Sequence, residues 1–493
     1  MISVGQAGSY GKMRRTKIIA TYGPAVASVS KLSQLAVAGV NLFRVNCSHG
    51  TTQDFVRAAN IIKSATKKGR FPAGLIFDIS GPKLRLERFD GKLNIKPGQT
   101  MKLIAGQTDL ASRTVAVNHP EIISSVKKGE KVFIDDGTIV LDTVAVGKRW
   151  ITLRAVNGGT ILPGKGINLP RTDIKIPTIS DKDRDDIKTA IRVKADYIAL
   201  SFVRSPADID QARRVISSYG GDQRIIAKLE KRGAIDNLEK ILKVADGVMI
   251  ARGDLGVELP YAELPRLQKR IIRLSNVQHK PVIVATQMLE SMRFSPRATR
   301  AEVNDVASAV YDMADAVMLS AETATGKYPL ESVKTMDQIV TTTESSISYP
   351  ALASDSADDK PDITQAIARA VTSYQNEQRL TAIFAFTTSG YTAAMISNLL
   401  PPQPIVALTP DERVMSKLTL VRSVYPVLIE QPRSFEDMLS IVQSMSEKYR
   451  LARAGDKVII TGGAPFGSTV PTNFMMIHEI GKRKRHVRRS KRK

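Results

Sequence analysis

Cysteine is almost absent: Cys47 is the single one in 493 residues. That excludes an intramolecular disulfide framework, argues against a cysteine-ligated zinc site, and makes a reducing cytoplasm the expected compartment. No stretch reaches the ~18 uninterrupted apolar residues of a membrane span. The opening MISVGQAGSYGKMRRTK lacks an apolar core followed by a cleavage site, so neither a membrane partner nor a secretory leader is expected. Histidine is scarce, five in all, and none falls at the centre of the polar cluster described below, which argues against triad or imidazole acid–base chemistry. Negative charge is in the minority, with 48 Asp and Glu against 72 Lys and Arg, a net +24. Nine of the basic residues lie in the last twelve positions, Lys482–Lys493, which hold no acid; the rest of the chain still carries +15, as suits a protein that handles phosphorylated anions. The tail could hold nucleic acid as a side activity. It has no aromatic residue for base stacking and no periodicity, so a solvated, disordered terminus is the plainer expectation.

What the chain has in abundance is short apolar runs ending in polar residues. Eight stand out: Lys17–Thr21, Val40–Val45, Ala73–Asp78, Tyr197–Ser201, Arg224–Glu230, Gly247–Asp254, Pro281–Thr286 and Ala316–Ser320. Each has the length and Val/Ile/Leu content of a buried parallel strand. Helix-like segments separate them; Asp181–Ala195, with Ile187, Ile191 and Ala195 at fourfold spacing, is one. Eight βα units predict a TIM-type (β/α)8 barrel. One gap, after the third run, is far longer than a βα unit. It shows period-2 segments, Lys131–Ile134 and Ile139–Leu141, around Asp136-Gly137, a hairpin signal. Beyond the Ser/Asp/Ala-rich stretch Ala351–Pro361, Asp362 caps a helix carrying Ile363, Ile367, Val371 and Tyr374. Strand-like runs follow at Ala382–Phe386, Ile405–Leu408, Val424–Leu428 and Val458–Thr461. The predicted fold is α/β: a barrel from 1–86 and 172–350, an inserted small β domain over 87–171, a C-terminal α/β domain over 351–481, and the tail 482–493.

In such barrels the polar residues at strand carboxyl ends converge. Here these are Arg44, Asn46, Asp78, Lys228, Glu230, Asp254, Thr286, Ser320 and Glu322. Glu230 and Asp254 end successive strands and suit magnesium, which seldom takes all its ligands from protein; an ion-paired barrel rim would use the same residues. Lys228 faces the same side as Glu230. Its ammonium could stabilise charge on a transferring phosphoryl group or an enolate, form a Schiff base, or simply pair with the glutamate. Gly253-Asp254-Leu255-Gly256 reads as a turn opening a helix, whose N–H groups bind carboxylate or phosphate. Arg44, Arg85 and Lys165 are scattered cations; arginine suits phosphate at the first two, but on pattern alone an ordinary surface charge is the plainer expectation for each.

The segments TKIIATYGPA, FRVNCSHG, GKGINLP, AKLEKRGAIDN, DGVMIARGDLGVELP, ATQMLESM, TRAEVNDVASAV and MLSAETATGKYPLESV occur in this order. Together they resemble the pyruvate kinase family over about Arg15 to Ile480. The resemblance implies a phosphotransferase acting on an alcohol-group acceptor class of substrate, moving the phosphoryl group of phosphoenolpyruvate to ADP to give pyruvate and ATP, the last step of glycolysis. It implies that Lys228 stabilises the transition state and that Glu230 and Asp254 hold Mg2+ or Mn2+. Gly253, Asp254 and Thr286 would seat the substrate carboxylate and enolate, and Arg44 and Arg85 would contact the phosphoryl group. Asn46, Cys47, Ser48 and His49, with Arg85 and Lys165, would contact the nucleotide. Lys165 would arrive on a closing lid formed by the insert, and a water chain near Thr286 and Ser320 would supply the enolate's proton.

Asn46, Ser48, Asp78 and the Ile79 carbonyl match potassium-site positions of the family. Potassium-dependent members carry Glu where this chain has Lys83, so the resemblance implies an enzyme that does not require K+. Thr387-Thr388-Ser389-Gly390-Tyr391-Thr392 is similar to the loop that binds a sugar-phosphate effector, with Thr387, Ser389, Gly390 and Thr392 as its phosphate contacts; a helix N-cap with no ligand would use the same residues. Tyr391 stands where certain members have a basic residue, which leaves the effector's identity open. A homotetramer is implied by the resemblance alone. Two rival readings remain: an aldolase-like or enolate lyase on the same barrel, which needs no nucleotide, and a nucleic-acid binder built on the basic tail.

Overall fold

The computed structural model describes residues 13–69, 72–135, 137–170, 172, 176–348, 362–374, 380–465 and 470–481. Asp136, the stretch 351–361 and the tail 482–493 lie outside the described residues.

Eight parallel strands close into a barrel: Lys17–Thr21, Leu42–Asn46, Gly74–Ile79, Tyr197–Leu200, Arg224–Leu229, Gly247–Ala251, Val282–Ala285 and Ala316–Leu319. They coincide with the eight apolar runs. Each is buried along nearly its whole length because both of its faces are covered. Ile18 and Ala20 pack outward against the surrounding helices, whereas Ile19, Ile76, Tyr197, Ile226 and Met318 fill the barrel interior. Two-sided burial is the physical reason such strands read as continuous apolar runs rather than alternating ones. Leu420, from the C-terminal region, belongs to the same interior cluster.

Two boundaries differ from the sequence expectation. The sixth strand stops at Ala251, and Arg252–Glu258 is already helical, so Asp254 sits on a helix rather than at a strand end. The helix expected to reach Ala195 runs Asp181–Arg192 and is closed by Lys194 at a left-handed φ of 50°; Ala195 is buried in the loop that follows. The start of that helix has a full capping box, in which Ser180 accepts from the Asp183 N–H and Asp183 accepts from the Ser180 N–H.

Between the third and fourth barrel strands the chain builds a separate β unit. A six-stranded sheet contains the antiparallel pair Lys131–Ile134 and Ile139–Val146, the hairpin signalled in the sequence. A two-stranded sheet joins Leu93–Ile95 to Gly159–Ile161. This unit has its own core, including Leu103, Val132, Leu141 and Leu153. The C-terminal α/β unit begins with the helix Ile363–Ser373, capped by Asp362 through the Gln365 N–H; Ile363 itself is exposed. Its five-stranded sheet adds Phe474–Glu479 as an antiparallel edge beyond the four strands expected.

Candidate active site

Lys228 owes its position to strand alternation. Ala227 and Leu229 point outward to the helix layer and Ile226 points into the barrel, so Lys228 turns inward near the carboxyl end of its strand. Its ammonium lies 3.0 Å from Asp78 Oδ1, 2.7 Å from Ser201 Oγ and 2.8 Å from Glu230 Oε1. The third, fourth and fifth strands thus converge on one cation. Arg44 Nε donates to the other Asp78 oxygen at 2.7 Å, and Arg44 Nη1 donates to Thr21 Oγ1 at 3.2 Å. Burial alone would push the Lys228 ammonium towards neutrality, but Asp78 and Glu230 outweigh it and hold its pKa above the ordinary lysine value. Burial would raise the Asp78 carboxyl, yet Arg44 and Lys228 hold it below the usual range.

Glu230 is buried and accepts the Phe202 N–H at 2.8 Å through Oε2. Burial pushes its carboxyl up; Lys228 opposes this, and the nearby Asp254 carboxylate reinforces it. Among the described residues each Glu230 oxygen has one protein partner, Lys228 Nζ or the Phe202 N–H, and keeps a further lone pair. Two mutually repelling carboxylates with spare lone pairs fit a divalent cation. No cluster of three His, Cys, Asp or Glu completes a protein cage among the described residues. A hard divalent cation held by such a pair would complete its coordination with water and substrate oxygens.

Thr286 follows the seventh strand with φ 66°, and Gln287 continues with φ 54°. Gly253 N–H donates to Thr286 Oγ1 at 2.9 Å, joining the two predicted substrate-seat positions. The Ser320 hydroxyl is buried without a partner among the described residues, and the buried Glu322 accepts from the Ser320 N–H at 2.7 Å. A cavity of about 580 Å³ runs between barrel and insert, with Phe202, Lys231 and Asp254 on one side and Lys83, Ile167 and Leu169 on the other.

Arg85 and Lys165 are brought together on the insert side. Arg85 Nη1 donates to Gly164 O at 3.0 Å, Leu86 N–H donates to Lys165 O at 2.9 Å, and the Lys165 ammonium pairs with Asp135 at 2.8 Å. Asn46 lies opposite Asp78 in register, and the Ser48 N–H donates to its side-chain oxygen at 3.1 Å. His49 is exposed. The Cys47 side chain packs into the barrel's outer core, where burial pushes its thiol up; its carbonyl accepts from Lys182 Nζ at 2.6 Å. The buried Cys47 thiol donates to the nearby carbonyl Val45 O at 3.9 Å. The Ile79 carbonyl accepts from Ser201 Oγ at 2.7 Å. In the C-terminal unit, Thr387 Oγ1 accepts the Gly390 N–H at 2.9 Å, and Ser389 Oγ accepts the Tyr391 N–H at 3.3 Å. Thr392 is buried, with its hydroxyl on Thr472, so it is turned into the domain rather than towards the loop.

Residues 13–333 match the pyruvate kinase barrel domain and residues 365–478 the pyruvate kinase alpha/beta domain. The chain belongs to the pyruvate kinase family. It is 40% identical over 475 residues to the pyruvate kinase of Sporosarcina psychrophila, covering 95% of this chain and 81% of the relative. To that of Thermotoga maritima it is 38% identical over 469 residues, covering 95% and 100%. A solved pyruvate kinase from Cryptosporidium parvum superposes with a TM-score of 0.90 at 34% identity, covering 95% of this chain and 96% of that one. Pyruvate kinases are phosphotransferases that move a phosphoryl group from phosphoenolpyruvate to ADP, and this chain is an enzyme of that class.

Sequence reasoning passed over Ser201, which bridges Lys228 and the Ile79 carbonyl. It ends the fourth run, so the strand-end rule that found Lys228 would have found it too. Arg252 was also missed; its partners lie more than thirty positions downstream and leave no local signal.

Proposed function

We propose that the Lys228 cluster is the catalytic centre of this pyruvate kinase, with the roles assigned residue by residue as follows. Arg44 and Arg85 orient the phosphoryl group of phosphoenolpyruvate. The Gly253 and Asp254 amides and Thr286 seat its carboxylate and enolate oxygen. Asn46, Ser48, His49 and the Cys47 backbone, with Arg85 and Lys165, hold ADP so that a terminal phosphate oxygen faces phosphorus. The P–O bond to the enolate breaks as the bond to ADP forms, and negative charge passes to the enolate oxygen. The permanently charged Lys228 ammonium, preorganised by Asp78, Ser201 and Glu230, stabilises that charge without reorganising. A divalent cation bound by Glu230 and Asp254, magnesium or manganese, would neutralise phosphoryl and enolate oxygens. The enolate then takes a proton at carbon to give pyruvate, through water ordered at Thr286 and the Ser320 hydroxyl. The insert, 87–171, acts as a lid that brings Lys165 over the barrel mouth and excludes water, the rival acceptor. The observation that carries this reading is the ammonium of Lys228 within 3.0 Å of two carboxylates and a hydroxyl from three strands.

Lys83 makes the protein independent of potassium by supplying a fixed positive charge at the nucleotide side of the site. The Thr387–Thr392 loop takes the phosphate of a sugar-phosphate effector, chiefly through Ser389 and its backbone amides. The assembly is a homotetramer working in the cytoplasm, and the basic tail retains nucleic acid only as a side activity. Initial rates with phosphoenolpyruvate and ADP, with magnesium, potassium and sugar phosphates varied at fixed ionic strength, test these assignments together. Turnover is expected to need ADP and a divalent cation, to be equal with and without potassium, and to gain potassium dependence in Lys83→Glu. Pyruvate release without ADP would favour the lyase reading instead.

A further inference from the structure

Thr286 is a β-branched residue held at φ 66°, and Gln287 beside it is held at φ 54°. Left-handed conformations of non-glycine residues are disfavoured, most of all for β-branched ones, and persist only where surrounding structure imposes them. One side chain gathers the carbonyls of this turn. The Arg252 guanidinium donates through Nη2 to Thr286 O at 2.8 Å and Gln287 O at 3.4 Å, and through Nε to Ala285 O at 3.4 Å. Its Nη1 is anchored on Asp305 Oδ1 at 2.6 Å, from the helix Arg300–Tyr311. Arg252 directly precedes Gly253, whose N–H meets Thr286 Oγ1 at 2.9 Å. The same guanidinium therefore links the two halves of the proposed substrate seat. Lysine cannot replace it, since a single ammonium has no planar fork to span successive carbonyls and a carboxylate at once.

We propose that Arg252, anchored by Asp305, is a positioning residue that holds the left-handed Thr286–Gln287 turn and so aims the Thr286 hydroxyl at the substrate. This rests on the role given to Thr286 above. The clamp touches no substrate; it acts through the turn. Its loss lowers turnover while leaving ADP binding, on the far side of the site, unchanged.

The test is a double-mutant cycle on the full-length protein, reading kcat and both KM values. Arg252→Gln and Arg252→Lys are each expected to lower kcat by roughly 100-fold with KM for ADP unchanged, and to lose little further on a Thr286→Ala background, because coupled residues are non-additive. Gln287→Gly, which removes the penalty at one left-handed position, is expected to recover about tenfold of the Arg252→Lys loss. Asp305→Asn, which keeps the guanidinium but weakens its anchor, gives the same pattern at smaller size and serves as the readout if the Arg252 variants do not fold. Losses that multiply in the double variant, or an Arg252→Lys enzyme with normal kcat, overturn the clamp. Full activity in Thr286→Ala alone overturns the role of Thr286, and the clamp with it. A loss in Thr286→Ala with independent Arg252 effects overturns the clamp only.

Discussion

At the scale of single residues, the site works by pairing buried charges so that none is left alone. Lys228 stays protonated in a buried position because two carboxylates face it, and Asp78 stays ionised because Arg44 and Lys228 face it. Removing one member exposes the others. Lys228→Met is expected to lower kcat by about 10²- to 10³-fold, the usual effect of deleting one preorganised charge stabiliser. It should also lower the melting temperature, because Glu230 loses its cation. Steady-state assays and thermal melts check both. At this scale the sequence was informative where a rule of position applied. Lys228 and Glu230 follow from strand alternation and strand ends, and the structure brings them within 2.8 Å. Ser201, at the end of the fourth run, was open to the same rule, whereas Arg252 stayed hidden because its importance lies in contacts far along the chain, such as the bond from its Nη1 to Asp305 Oδ1, which spans 53 positions.

At the scale of elements, caps and turns decide where helices start and which loops stay put. The helix Arg300–Tyr311, which carries Asp305, opens with a capping box: Thr299 accepts the Glu302 N–H, and Glu302 accepts from the Thr299 and Ser291 N–H groups at 2.8 and 2.7 Å. Burial would raise the Glu302 carboxyl, but these hydrogen bonds win and lower it. Thr299→Ala is expected to destabilise the protein by about 1 kcal/mol in urea unfolding. In the insert, the Lys165 ammonium rests on Asp135 at 2.8 Å on a loop beside Arg85. If it serves the nucleotide, Lys165→Ala raises KM for ADP by about tenfold, the loss of one charge-assisted contact, and leaves KM for phosphoenolpyruvate nearly unchanged; equal effects on both substrates would refute that division. Element boundaries were less legible than element existence. The Arg252–Glu258 helix continues straight from an apolar strand run. The edge strand Phe474–Glu479 is only half-buried, so its alternation was too weak to read.

At the scale of the whole molecule, the seam between the barrel's first strand and the C-terminal unit is built from buried ionisable groups. Lys17 Nζ donates to Val424 O at 2.6 Å, and Asp315 accepts the Arg422 and Val282 N–H groups at 3.0 Å each. Burial, with Arg14 adding to it, pushes the Lys17 ammonium down to about 7, and burial pushes the Asp315 carboxyl up to about 6. The lysine's folded pKa is depressed, so its share of stability is full above its unfolded value and is lost as pH falls through about 7. The acid's folded pKa is raised, so its share is full at low pH and is lost as pH rises through about 6. Both penalties are complete between these values, so the contribution of these two groups to the urea midpoint is expected to be lowest there. Lys17→Met should flatten the alkaline limb and Asp315→Asn the acid limb.

The chain alone determined the architecture and the chemistry-bearing residue types, because a strand buried on both faces must be apolar throughout and a polar residue at its end must serve either solvent or a site. Family membership was written in long contiguous segments for the same reason: those segments are local. Tertiary structure alone decided which charges neutralise each other, which hydroxyl is turned inward, as at Thr392, and which side chain holds a strained turn. Such facts depend on distances between residues that the chain separates by dozens or hundreds of positions, and only folding brings them within hydrogen-bond range.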